Sequence, residues 1–162
     1  MRKPLFAIRM AAITFILAVV TAFAISSTYA VASENDTEIA AIIKADGDWL
    51  ATSKDAEKFI GHTDPEFTLF PPGASFMDDR KAMIDYWDAL VSTPGLELVW
   101  GPNGAVVSKS GDLGYSYGWY KLTTVDEKGA KSVSNGKYLT VMRKQANGEW
   151  RPLADIFNSD GN

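Results

Sequence analysis

Four strand-like stretches follow one another in the second half of the chain, each joined to the next by only a few residues. They are Leu96–Ser108, Leu113–Val125, Lys131–Lys144 and Trp150–Asn158. Ser110-Gly111-Asp112 and Asp126–Ala130 read as turns, and Asn147-Gly148 is a strong hairpin signal. Connections this short make neighbouring strands antiparallel. Strands of roughly 10–13 residues are about twice the usual length and have to twist and coil. Gly101-Pro102-Asn103-Gly104 cannot sit in a regular central strand, so it marks a bulge or bend that helps the sheet curl.

Helical patterns come first. Ser33–Ser53 carries Ile39, Ile42, Ile43, Trp49 and Leu50 at helical spacing, with Ser33-Glu-Asn-Asp36 as a capping box and Asp36 or Thr37 as alternative caps. Asp55–Ile60 is a second, short helix ending at Gly61. Glu66–Phe70 is extended, Pro71-Pro72-Gly73 forces a turn, and Ser75–Met77 is a short return strand. Asp78 or Asp79 caps a third helix, Arg80–Val91, whose Met83, Ile84, Trp87, Leu90 and Val91 form one face. Helices followed by an antiparallel meander define an α+β fold with helices on one face of the sheet. A curled sheet wrapped around those helices leaves a cone whose wide end can stay hollow.

Residues 1–32 read differently from the rest. Arg2, Lys3 and Arg9 precede an apolar run, Ala11–Ile25, and small residues follow, ending Ala30-Val31-Ala32. This is the order of a secretory signal peptide, cleaved after Ala32 or, as an alternative, after Ala30. A permanent anchor is the competing reading. However, an apolar run of about 15 residues spans roughly 22 Å, short of the ~30 Å hydrocarbon core. The expectation is a periplasmic or secreted protein made of one domain over residues 33–162. Roughly 130 residues suit one core and are too few for two. All 20 acids follow residue 32, whereas three of the 16 bases precede it. An acidic domain without a basic run is a poor partner for nucleic acid or an anionic membrane. The absence of cysteine removes disulfides, thiol nucleophiles and thiolate metal sites, and the single His62 removes multi-histidine sites. No phosphate loop, dinucleotide fingerprint or nucleophile elbow occurs, so neither a metal nor a cofactor is expected. The acidic pairs Asp46-Gly-Asp48, Asp78-Asp79 and Asp126-Glu127 read as a helix face, a helix cap and a hairpin turn.

Five blocks carry a resemblance. They are Ala45-Asp46-x-x-Trp49, Leu69-Phe70-Pro71-Pro72-Gly73, Gly111-Asp112-Leu113-Gly114-Tyr115-x-x-Gly118, Gly136-Lys137-Tyr138-Leu139-Thr140-Val141, and Asn147-Gly148-x-Trp150-x-Pro-x-x-Asp155-Ile156-x-Asn158-Ser159. In this order, over about residues 36–160, the chain resembles the SnoaL-like, ketosteroid-isomerase-like families of the nuclear transport factor 2-like superfamily, and within them small exported members of unassigned function. The resemblance implies a cone-shaped α+β barrel with an apolar pocket, often dimeric through the sheet. It implies no single reaction, because such folds serve isomerases, cyclases, dehydratases, hydrolases and non-catalytic modules.

Asp46 is the sharpest candidate for chemistry. It shares a helix face with Ile42, Ile43, Trp49 and Leu50, which places a carboxylate among apolar side chains. Such a group is raw material for a general base or a neutral acid donor. The alternative is a carboxylate bonded to a backbone amide or a tyrosine hydroxyl, holding the helix on the sheet. Asp155 lies in the apolar run Leu153–Phe157. Alternation groups it with Leu153 and Phe157, opposite Trp150, Pro152, Ala154, Ile156 and Asn158, without saying which face looks inward. An inward Asp155 would pair with Asp46; otherwise it would pair with Arg80 or Arg151 or lie exposed. Members of the resembling families place an acid or base after the second helix. Here that stretch reads His62-Thr63-Asp64-Pro65, and Asp64 is equally an ordinary turn residue. Trp49, Phe70, Trp87, Tyr117, Trp119, Tyr138 and Asn158 are candidates for the pocket wall, with core packing as the alternative for the aromatics. Gly114 and Gly118 lower one strand face, either for a ligand or for close approach of a neighbour.

The leading expectation is cofactor-free acid/base chemistry on an apolar carbonyl compound: isomerisation, dehydration or cyclisation. Asp46 would transfer the proton, Asp155 would be its partner, and Tyr138 would donate to a developing oxyanion. The alternatives are a non-catalytic binding protein for a small hydrophobic ligand and a dimeric interaction module. The enzyme reading needs Asp46 and a second polar group within about 3 Å of a common point in one cavity. The module reading needs a cavity well under ~300 Å³ and an apolar patch on the outside of the sheet.

Overall fold

The computed structural model describes residues 35–126 and 128–161. The export-signal segment and Ser33 of the capping box lie outside the described residues. Contacts group Glu38–Asn162 into one unit. Helix α1 is described over residues 35–51, so Asp36 and Thr37 lie inside it and do not cap it. Its buried stripe is Ile42, Asp46 and Trp49, at i, i+4 and i+7. Ile43 falls off that stripe and is exposed. Helix α2 (Ala56–Gly61) is capped by Asp55, whose carboxylate accepts from the Lys58 amide. Helix α3 (Arg80–Val91) is capped by Asp79, which accepts from the Ala82 amide at 2.8 Å, and it buries Met83 and Trp87.

The strands are β1 (Thr68–Phe70), β2 (Glu97–Val107), β3 (Leu113–Val125), β4 (Lys131–Lys144) and β5 (Trp150–Ser159). They form one curved sheet in the order β1-β5-β4-β3-β2. The four long strands are antiparallel neighbours, as their short turns require. Two expectations need correction. The sheet is mixed, because β1 runs parallel to β5: the chain leaves β1 through α3 and the long strands before β5 comes back beside it. The sheet is also open, because its two edge strands, β1 and β2, do not pair with each other. The expected return strand Ser75–Met77 shrinks to a single bridge between Met77 and Leu69.

Two bulges curve the sheet. Register slips at Asn103 between Pro102 and Gly104, where the Gly-Pro-Asn-Gly group predicted it. It slips again on β5, where Val141 faces Ala154 but Met142 faces Pro152, leaving Leu153 as the extra residue. That second bulge reverses the alternation along β5. Trp150 and Pro152 are buried before it and Asp155 after it, so residues of both parities face inward in turn. Unbroken alternation put Trp150 and Asp155 on opposite faces, and the extra residue is why they share one.

Helix α1 lies on the inner face of the sheet. Ile42 packs with Met142 and Trp150 at one end, and Trp49 packs with Phe59, Phe67 and Trp87 at the other. Glu38 secures the start of this contact by accepting from Trp150 Nε1 at 2.8 Å and pairing with Lys144. Gly114 and Gly118 serve close approach. A Cβ on Gly114 would sit 2.4 Å from Ile42 Cδ1, and one on Gly118 would sit 2.1 Å from the Gly101 carbonyl oxygen.

Candidate functional site

The site lies at the end of the inner face near Trp49, away from Ile42. Its floor is an aromatic stack. Trp49 and Phe59 lie 4.4 Å apart and nearly parallel, and Phe59 and Trp87 lie 3.8 Å apart at 16°. Trp100 meets both Trp49 and Phe59 edge-on. Each such pair contributes about 0.5–1.5 kcal/mol beyond its buried area. The indole N–H groups are satisfied, Trp49 by the Phe59 carbonyl and Trp87 by the Ser53 carbonyl, so these rings are held in fixed orientations. Across from the stack, Tyr120 and Phe157 form a perpendicular pair on the sheet. Between stack and sheet is a cavity of about 230 Å³. Leu90, Leu98 and Leu122 complete its apolar wall, and its polar edge is Ser134, Tyr138, Asp155 and Ser159.

Asp46 is fully buried and accepts from Trp100 Nε1 at 2.7 Å and from the Tyr138 hydroxyl at 2.8 Å. It therefore ties α1 to β2 and β4 and stands behind the cavity, not on its wall. The Tyr138 hydroxyl proton is committed to Asp46, so it is not offered to a ligand in this arrangement. Burial, with the charge of Asp46 second, raises the Tyr138 pKa well above the ordinary tyrosine range. Asp155 does reach the wall. The Leu153 bulge turns it inward, and its Oδ1 accepts from Thr140 Oγ1 at 2.6 Å. Oδ2 has no hydrogen-bonding partner among the described residues. Neither Arg80 nor Arg151 is its partner: Arg80 donates to the Ile60 carbonyl, and Arg151 pairs with Glu149. Burial pushes the Asp155 pKa up to about 7; the Thr140 hydrogen bond opposes this and the charge of Asp46 adds to it.

The structure thus brings Asp46, Tyr138, Asp155, Trp49 and Trp87 together and separates the other candidates from them. Phe70, Tyr117, Trp119 and Asn158 are exposed, on the outer face of the sheet. Register explains this. Gly104, Tyr117, Leu139, Ile156 and Phe70 face one another in a row across all five strands, and Trp119, Lys137 and Asn158 form the next. Both rows have the parity opposite to Tyr138. Asp64 is buried in an ion pair with Arg143, accepts from Gln145 and caps the turn at Glu66, so it is a structural residue. Sequence reasoning missed Trp100, the second donor to Asp46, and the polar row Ser116, Thr140, Asp155. Thr140 was detectable, because it lies two residues from Tyr138 on the same strand face. Ser116 Oγ is buried in that row without a hydrogen-bonding partner among the described residues.

No family model matches the chain, and no curated protein does. Solved structures do match. A ketosteroid isomerase-like protein from Erwinia carotovora atroseptica superposes with a TM-score of 0.68 at 18% identity, over 77% of this chain and 98% of that one. A nuclear transport factor 2-like protein with a cystatin-like fold from Novosphingobium aromaticivorans gives 0.64 at 19%, over 84% and 89%. The association domain of C. elegans CaMKII gives 0.57 at 17%, over 72% and 92%. The chain has the nuclear transport factor 2-like fold, as the sequence blocks implied. That fold occurs both in ketosteroid isomerase-like proteins and in an association domain.

Proposed function

We propose that this chain is an exported pocket protein for a small, largely apolar molecule. The observation that carries the reading is a walled aromatic cavity with one carboxylate, Asp155, on its wall, of which only Oδ1 has a hydrogen-bonding partner among the described residues. Asp46 is withheld from the cavity and Tyr138 spends its hydroxyl hydrogen bond on Asp46, so binding fits this geometry better than oxyanion chemistry. Any proton transfer to a ligand would fall to Asp155, which sits near its own midpoint at neutral pH. Export is supported by the basic, apolar, small-residue order of residues 1–32.

Native mass spectrometry of the protein purified from periplasm tests this reading. The expected result is a bound mass that Leu98→Trp, which fills the cavity, removes while the circular dichroism spectrum is unchanged. A bound mass that survives in Leu98→Trp would place the ligand elsewhere.

A second reading has its own observation. The outer face of the sheet exposes Val99, Tyr117, Trp119, Val133 and Ile156 without a covering element among the described residues. This apolar face suits a second copy of the chain, and the likeness to an association domain agrees with that. Dimerisation through the outer face leaves the cavity on the inner face free, so the two readings are compatible.

A further inference from the structure

We infer that the molecule this cavity is built to hold is an organic cation, an aromatic or apolar amine, bound with its ammonium group on Asp155 Oδ2 and its carbon skeleton among the indole and phenol rings. The inference rests on the pocket reading above and narrows it to a ligand class.

Three observations carry it. First, among the described residues the cavity wall contains no lysine, arginine or histidine. The ionisable groups that face it are Asp155 on β5, Tyr138 on β4, Tyr120 on β3 and Tyr86 on α3, with Asp46 of α1 behind Tyr138. Every one of these is neutral or negative when it ionises. Second, neither Asp46 nor Asp155 is in an ion pair among the described residues, although each is more than nine-tenths buried. Among the described residues Asp46 has two donors, whereas Asp155, which lies on the cavity wall, has one and keeps its second oxygen unpartnered. A buried carboxylate without a counter-ion is costly, and a ligand that supplies the positive charge relieves that cost. Third, the remaining wall is mostly aromatic. The negative faces of tryptophan and tyrosine attract a cation and add to the field of the carboxylates. An anionic ligand would meet the Asp155 carboxylate, with that of Asp46 behind Tyr138, and no cation among the described residues. The volume limits the ligand to about one ring and a short chain, since 230 Å³ is below the size of drug-like sites.

Three probes of nearly equal shape decide the matter: phenethylamine, phenethyl alcohol and hydrocinnamate. Calorimetric titration at about pH 8 is expected to show the amine binding about tenfold or more tighter than the alcohol, the low end for a hydrogen bond to a charged group, and the carboxylate weakest. Between about pH 5 and pH 8 the amine stays protonated while Asp155 loses its proton. Amine affinity should therefore rise across that interval and alcohol affinity should not. Asp155→Asn should erase the preference for the amine and leave the alcohol's affinity within about twofold. The pH series on the unaltered protein stands by itself if that variant folds poorly. Alcohol binding as tight as amine binding, or a preference that persists in Asp155→Asn, would overturn the inference and leave the pocket reading intact. Failure of all three probes to bind would overturn both.

Discussion

Asp155 and Asp64 are both buried aspartates, and their surroundings send them in opposite directions. Asp155 has one hydroxyl donor and no cation, so burial dominates and its pKa rises to about 7. Asp64 has the Arg143 guanidinium, the Glu66 amide and the Gln145 side chain, and these outweigh burial and hold its pKa at about 2. For Asp155 the folded value lies above the unfolded one. Its contribution to stability is therefore complete below about pH 4 and lost as pH rises through about 7. We predict that the urea midpoint falls between about pH 4 and pH 7, and that Asp155→Asn removes most of the fall, a gain of roughly 2–4 kcal/mol at the alkaline end. Parallel pH profiles for the two proteins would show that the carboxylate is not responsible. For Asp64 the sign is reversed. Its contribution is present above about pH 4 and lost as pH falls through about 2. Arg143→Ala should cost about 2–3 kcal/mol at neutral pH, less than breaking a fully buried pair because the Arg143 side chain is 34% exposed. The same variant should flatten the acid limb of the unfolding curve, and an acid limb that stays as steep would argue against the pair.

At the scale of elements, what could be read from the sequence was whatever local chemistry dictates. The cap of α3, the ends of β3 and β4, and the kink at Gly101–Gly104 each follow from a residue type with a fixed conformational consequence, whereas Asp55, read as the first residue of α2, proves to be its cap. Asp46 was found because helical spacing is regular enough to project a face. The inward orientation of Asp155 was not readable. It depends on an extra residue at Leu153, and nothing in Pro-Leu-Ala-Asp announces a bulge. Tyr117 and Trp119 went astray for a related reason: an aromatic residue is equally at home on either face of a sheet, and only pairing to neighbouring strands fixes which. Gly118 shows how closely that pairing is fitted. A side chain there would enter the β2 backbone at Gly101. Gly118→Ala should therefore destabilise by about 1–3 kcal/mol or more, as overpacking does, and should also perturb the near-ultraviolet signal of Trp119, whose ring lies against Gly101. A thermal midpoint within a degree or so of the unaltered protein would mean that the strands can part without cost.

At the scale of the whole molecule, the two faces of the sheet present different problems. The inner face is covered by α1 and the aromatic stack, and it leaves a cavity that a small molecule can fill. Among the described residues no helix lies over the outer face, yet Trp119 is 48% exposed, Ile156 51% and Val133 50%. The row Tyr117, Leu139, Ile156 and Phe70 carries that apolar surface without a break from β3 to the β1 edge. Isolated apolar residues on a surface need no partner, but a continuous strip across several strands does. Two copies related by a two-fold axis would place each strip on its equal, which closes the assembly at a dimer. The expected outcome is a dimer in sedimentation equilibrium that dissociates on dilution. Trp119→Glu should weaken it at least about a hundredfold, the effect of losing a central aromatic anchor and burying an unpaired charge. The same substitution should leave phenethylamine binding unchanged, since Trp119 has no place on the cavity wall. Loss of both together would mean that the outer face shapes the inner one, and the separation between assembly and ligand binding would have to be given up.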